Sequence, residues 1–498
     1  MKLLLVYPKI ATSNTNTHTY SVPLGLGSIA TYSRQRLGDL EVKILDGSLM
    51  SHEEQVAAVR EFKPDVTGIN TTVCSHRNGL EIGEHAKEEG SLVFFGGVNS
   101  TNLWEQVLAS RPFVDGVVLY EGEIPMYLAL NRLGVMGRAG ADCLDGIPNL
   151  AYRDSGGNIH PPSLIYVPSM GEIPDIDYTL FDLDRFFKQT QEKGFGKAIT
   201  YHGGKGCPKR SVVKLKRIYR YDEYMALVKT MNACTFCGRN ELGLKYLGEE
   251  REARVVIYLH DELGVRWFFN VQDEVDLRNK TPAPIGLDDS KFRLFIGLRR
   301  INEENIGILK QRYGPHLIFQ AGVEAATPGM RVACGKSPSD SFEVLTRNHI
   351  MDDNGIESHT SHISGEKGHT RDSIRQTSEL TMRLAECKNV TWILVSPLLV
   401  IPGSPDYGAL LQMPGMAEKY ADQDSIDIVE ASNDFHRFFT PELTREDVIE
   451  EIKYNFDCIR SMGRTDLVLD VKGVTPEEED YINPNRRYAE AAENDTKT

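Results

Sequence analysis

Residues 66–98 read VTGINTTVCSHRNGLEIGEHAKEEGSLVFFGGV. Residues 66–69 and 92–95 are short, mostly apolar runs of strand length, and residues 79–89 between them carry helical periodicity. Gly96-Gly97 closes the second run. Strand, helix and strand with no hairpin turn make a βαβ unit, whose two strands run parallel. Outward from it the alternation continues on both sides. Residues 3–7, 42–45 and 116–119 read as strands, the middle one ending at Asp46-Gly47 and the last at Glu121-Gly122-Glu123. Residues 24–34, 53–61 and 102–110 read as helices. Residues 1–135 therefore form a Rossmann-like α/β domain, a parallel sheet covered on both faces. Such sheets bind ligands at the carboxyl ends of their strands. The candidates there are Thr71, Thr72, Gly96, Gly97, Val98, Glu121 and Gly122.

Residues 136–195 read as a linker. They hold a small hairpin at 149–159 around Gly156-Gly157 and a proline-containing run at 161–174. A second alternating region spans 196–410, with strands expected at 198–201, 267–271, 292–296, 317–322, 356–363 and 392–395. Six strand–helix units predict a partial (β/α)6 TIM-type barrel with its chemistry at the C-terminal strand ends. Residues 411–498 read as helical. Thr444-Arg-Glu-Asp447 is a capping signal ahead of Val448, Ile449, Ile452 and Phe456. From about residue 476 the chain turns acidic and polar, and its end is expected to be disordered.

Of the 498 residues, 41% are hydrophobic and 26% charged, ordinary values for a globular protein. Residues 1–7 (MKLLLVY) resemble a signal start, but Pro8 stops them and no cleavage site follows, so a buried N-terminal strand is expected. The apolar stretch 392–401 is broken by Ser396 and Pro397 and is too short to span a bilayer. A cytoplasmic location is the expectation. A formal net charge of −15 argues against a general nucleic-acid binder. Lys209, Arg210, Lys214, Lys216, Arg217 and Arg220 form one local basic run. It reads as a solvated face, with a phosphate-bearing substrate as the sharper alternative.

The chain has eight cysteines. Cys234-Thr-Phe-Cys237 puts two thiols on one loop, and Cys207 follows the first expected barrel strand. Three thiolates could hold an iron–sulfur cluster with one iron left open. With His202 they could equally hold zinc, and the pair alone could be a redox dithiol. Cys74, Cys143, Cys334, Cys387 and Cys458 have no matching partners and read as inert thiols.

Gly206-Cys207-Pro208-Lys209-Arg210 and Cys234-Thr-Phe-Cys237-Gly-Arg239 resemble two halves of the radical S-adenosylmethionine signature GCPxxCxFC. Phe269-Asn-Val-Gln-Asp273-Glu274, Gly322-Val-Glu324-Ala325, Ile363-Ser364-Gly365-Glu-Lys-Gly368-His-Thr370 and Pro402-Gly-Ser-Pro405 resemble the segments that follow in that superfamily. The resemblance implies a 4Fe-4S cluster on Cys207, Cys234 and Cys237. It further implies that Phe236 shields the cluster and that Asp273, Glu324, Ser364 and Gly365 hold S-adenosylmethionine. One departure stands out: residues 208–233 separate the first two cysteines, where the superfamily has three residues. Loop-closure cost grows only logarithmically with length, so the excursion 211–233 does not forbid a shared site.

Tyr7-Pro8, Pro23-Leu-Gly-Leu-Gly27, Phe95-Gly-Gly-Val98 and Leu119-Tyr-Glu-Gly-Glu123 resemble the cobalamin-binding domain of class B members. No Asp-x-His-x-x-Gly is present, so no histidine of that motif can ligate cobalt. The implied activity is a cobalamin-dependent methyl transfer to an unactivated carbon of a small-molecule, lipid or peptide substrate. A flavodoxin or ferredoxin would act as electron donor. Radical chemistry without cobalamin, and a non-catalytic binding protein, are the alternatives.

Overall fold

The computed structural model describes residues 1–10, 21–136, 141–211, 215–231, 234–239 and 241–482. The first sheet has the strand order Glu41–Asp46, Lys2–Tyr7, Val66–Asn70, Leu92–Gly96, Gly116–Val118, Leu150–Arg153, Ile159–His160. The first five are parallel. Leu3, Leu4, Leu5 and Val6 are at most 1% exposed, so the N-terminal run is a buried central strand. Strand order reverses between Lys2–Tyr7 and Val66–Asn70, and a crevice opens at the carboxyl ends there.

Two expectations change here. Residues 149–160, read as part of a linker, add two antiparallel strands to the sheet edge. Asn149 fixes the entry: it takes a left-handed φ of 59° and its side chain bonds Leu119 O and Tyr166 O. The single helix expected at 102–110 is two, Gly97–Asn102 and Trp104–Ser110, broken at Leu103.

The second sheet is parallel throughout. Its strands follow chain order: Ala198–Tyr201, Trp267–Asn270, Lys291–Phe295, Leu317–Glu324, Glu357–Ser364, Val390–Pro397 and Val468–Val471. The first and last are its edges, so the barrel is open. Val468–Val471 is a seventh strand inside the stretch read as helical. Four residues carry too little periodicity to reveal it, and only its distant partner Val390–Pro397 makes it a strand. Further on, Arg445–Ser461 begins at the expected box, with Thr444 and Asp447 capping each other. Pro476–Ile482, where the acidic stretch begins, is a helix whose Glu478 accepts bonds of 3.0 and 2.9 Å from Arg445. Residues 483–498 lie outside the described residues.

The two sheets form one body. Pro405–Leu411 and Ile428–Phe439 lie on the helices of the first sheet, so Leu4, Phe95 and Leu108 share one apolar cluster with Leu398, Tyr407 and Phe435. Arg111 bonds Asp424 across the same seam. The excursion has structure of its own. Ile218–Arg220 pairs with Leu164–Tyr166, and helix Tyr221–Thr230 buries Tyr224 and Val228 against Ile165 and Leu242. It also reaches the first domain, where Trp104 Nε1 donates to Tyr221 Oη at 3.0 Å.

Candidate functional site

Two openings meet at the carboxyl ends of the first sheet. One is a slot of about 120 Å³ between the sheet and helices Leu24–Arg34 and Glu123–Met136, lined by Leu5, Leu26, Ile29, Phe94 and Met126. The other is a cavity of about 370 Å³ between the sheet and the half barrel, lined on one side by Tyr7, Asn70 and Tyr120 and on the other by His202, Arg239 and Asp273. Gly96, Gly97, Glu121 and Gly122 line the slot; Thr72, Gly97, Val98 and Glu121 line the cavity. Thr71 lines neither and is fully buried, sharing a 2.7 Å bond with Ser100. Gly97 has a φ of +88°, and a Cβ there would lie 2.2 Å from Asn70 Oδ1 and 2.5 Å from Thr71 O. Only glycine fits. A Cβ on Gly122 would stand 2.6 Å from Ile29 and close the slot.

Where the domains meet, charge is buried. Lys205 Nζ lies 2.7 Å from Glu121 and 2.9 Å from Glu123, and Lys245 Nζ 2.6 Å from Glu121. Burial alone would raise the Glu121 carboxyl, but the two ammonium groups overcome it and hold it down at about 2. Both lysines stand opposite each other in the middle of the short ladder that pairs Gly204–Gly206 with Leu244–Tyr246. Gly206 takes a φ of +89° in that ladder, where a Cβ would meet Gly243 O at 1.9 Å.

That ladder explains how a distant cysteine returns. It anchors the chain immediately before Cys207 and again just after the Cys234–Cys237 loop, so the excursion leaves and re-enters at one place. Cys207 and Cys234 line a third cavity of about 460 Å³ at the mouth of the half barrel, with Lys209, Asp273, Gly322, Glu324 and Lys336. The loop is held from several sides. Thr235 N–H donates to Cys334 O at 3.2 Å, and Thr235 O accepts from Asp406 N–H at 3.0 Å. Asn102 of the first domain donates to Gly238 O and Pro402 O at 2.9 and 3.1 Å. Burial pushes the Cys207 thiol up, and the nearby charges of Asp273, Cys234 and Cys237 add to it. Burial also raises Cys234, while Lys336 and Lys209 oppose it.

Among the described residues, no three Cys, His, Asp or Glu side chains gather closely enough to hold a single metal ion. His202, the fourth zinc ligand considered above, lines the inter-domain cavity instead of the cysteine cavity. Burial pushes it down to about 3.

The remaining expected residues are spread more widely. Asp273 lines both larger cavities and is paired with Arg239. Glu324 has a left-handed φ of 59° and bonds Lys336 at 2.7 Å. Phe236 packs into the inter-domain apolar cluster, with Lys336 Nζ 5.6 Å from its ring centre. Ser364 is buried, and Gly365 is packed against His436; neither lines a described cavity, whereas Ser361 of the same strand does. Sequence reasoning missed Asn102, Lys205, Lys245 and Lys336 as site residues. Arg239 stood in the quoted cysteine segment, but nothing there shows that it pairs with Asp273. The basic run resolves into pairs: Lys216–Glu223, Arg217–Glu172 and Arg220–Asp222, with Arg210 buried. Lys214 lies outside the described residues.

Residues 13–129 match the family model of the B12 binding domain. Over the whole chain, the radical S-adenosylmethionine methyltransferase TsrM from Kitasatospora setae, solved with cobalamin and a 4Fe-4S cluster, superposes with a TM-score of 0.65. The match covers 99% of both chains at 12% identity. This chain has the fold of the cobalamin-dependent radical S-adenosylmethionine enzymes. A second example is OxsB, solved with aqua-cobalamin and S-adenosylmethionine: TM-score 0.63 and 13% identity, covering 98% of this chain and 71% of OxsB. No curated protein matches the sequence. Within this fold the slot and the inter-domain cavity lie on the B12 binding domain, and the cysteine cavity lies in the half barrel.

Proposed function

We propose that the chain is a radical S-adenosylmethionine enzyme that transfers a methyl group to an unactivated carbon with the help of cobalamin. The observation that carries this reading is the shared wall. A cavity over a B12 binding domain and a cavity over Cys207 and Cys234 meet at Asp273. Cys207, Cys234 and Cys237 would hold the 4Fe-4S cluster. Asp273 and Glu324 would hold S-adenosylmethionine beside it, with Ser364 and Gly365 behind. Gly96, Gly97, Val98, Glu121, Gly122 and Thr72 would seat the corrinoid, the glycines letting a flat ring approach the backbone. When bound, these groups supply the electron that cleaves S-adenosylmethionine and the methyl carrier. The protein's own part is to orient the reactants and exclude water. Phe236, Tyr120 and the apolar slot serve that end, and the excursion encloses the inter-domain cavity through Tyr120, whose ring lies 4.8 Å from that of Tyr224.

A one-electron donor, a flavodoxin or ferredoxin, would reduce the cluster. The substrate is a small molecule, lipid or peptide. No helix among the described residues is long and apolar enough to cross a membrane. The test is anaerobic reconstitution with iron, sulfide and hydroxocobalamin, then reduction with S-adenosylmethionine present. Formation of 5′-deoxyadenosine and cobalamin retained through desalting are the expected results. Retained cobalamin without any S-adenosylmethionine cleavage would contradict the radical reading.

A further inference from the structure

Asp273 stands in the wall between the two larger cavities, and Arg239 reaches it from the cysteine loop. Arg239 Nη1 lies 2.8 and 2.7 Å from the two Asp273 oxygens. One nitrogen makes both bonds, so Nε and Nη2 keep no hydrogen-bond partner among the described residues. The side chain is 49% exposed and lines the inter-domain cavity. The two lysines lining that cavity are already committed: Lys205 to Glu121 and Glu123, Lys245 to Glu121. Among the described residues, Arg239 is thus the cation lining that cavity with donors to spare. Its planar edge matches a carboxylate or phosphate, which can take two parallel N–H bonds.

We propose that Asp273 exchanges partners: the ammonium group of S-adenosylmethionine takes its carboxylate from the cysteine side, and the released Arg239 anchors an acidic group of the substrate in the inter-domain cavity. This rests on the reading above that S-adenosylmethionine binds beside the cysteine loop. Arg239 is 49% and Asp273 27% exposed, so solvent screens the pair and an incoming ammonium can compete for the carboxylate. The exchange couples the two cavities: filling the first prepares the second, and by linkage the second strengthens the first. The substrate class that follows is an acid, carboxylate or phosphate, bound after S-adenosylmethionine.

The experiment uses the anaerobically reconstituted full chain, with S-adenosylhomocysteine as an unreactive probe carrying the same amino-acid end. Phenylglyoxal modification of Arg239, read by peptide mass spectrometry, is expected to rise several-fold with the probe present. Millimolar acetate or inorganic phosphate should then slow it, only in the probe-bound protein, and the more effective anion names the acid class. By calorimetry, Arg239→Met should bind the probe about three- to five-fold more tightly, since Asp273 is no longer contested. Arg239→Lys should fall between the two. Unchanged modification with the probe bound, or equal or weaker binding by Arg239→Met, overturns the exchange. Protection by neither anion overturns the substrate anchor. Wild-type protein that binds no probe would overturn the functional reading itself, and the exchange with it.

Discussion

The sheet-end site and the cysteine site are built from different materials. At the sheet end the shape is made by backbone: Gly97 and Gly122 leave space that any side chain would fill. At the half-barrel mouth the shape is made by charge, with Lys336 on Glu324, Arg239 on Asp273 and Arg300 on Glu274. Lys205 and Lys245 join the two. The contrast teaches that the glycine positions of the first site cannot take added volume, whereas the second site depends on keeping its charge pairs.

The largest effect is expected at the junction. Lys205→Met leaves Glu121 and Glu123 buried without their shared cation and should cost about 3–5 kcal/mol in urea unfolding. The same variant tests the pH behaviour. Glu121 is held at about 2 against an ordinary value of 4.5, so its contribution is full above about 4.5 and is lost as pH falls toward 2. Wild-type stability should decline through that window, and Lys205→Met should decline less. An equally steep decline would mean that the pair does not join the domains energetically.

A smaller effect sharpens the contrast between the sites. Gly97→Ala forces a side chain into a left-handed backbone and should cost about 1–3 kcal/mol. Cobalamin should be lost on desalting while iron loading is kept. Loss of both would show that the sites are not separable. The smallest effect belongs to the basic run. Arg220 and Asp222 are 77% and 70% exposed, so Arg220→Ala should change stability by less than about 0.5 kcal/mol and leave both cofactors in place.

The same division governs what the sequence shows. The βαβ alternation through residue 119 is local, and helix Leu24–Arg34 matches its expected bounds residue for residue. Glycine-closed strand ends are also local, which is why Gly96, Gly97 and Gly122 can be named from sequence as lining a cavity. Strand Val468–Val471 and the hairpin at 149–160 are not legible as sheet members, because each is defined by a partner far away in the chain. Charge pairing is likewise non-local. Arg239 and Asp273 are 34 positions apart and Lys205 and Glu121 are 84 apart, so neither motif predicts the pair. The excursion between Cys207 and Cys234 reads in sequence as a disturbance of the signature. In the fold, the Gly204–Gly206 and Leu244–Tyr246 ladder closes it.

That closure makes Cys207 the residue on which the account rests. Iron and acid-labile sulfide are to be counted in anaerobically reconstituted wild type, Cys207→Ala and Cys387→Ala. About four irons per chain are expected for wild type and for Cys387→Ala, with a marked loss in Cys207→Ala. Full loading of Cys207→Ala would contradict a cluster shared across the excursion.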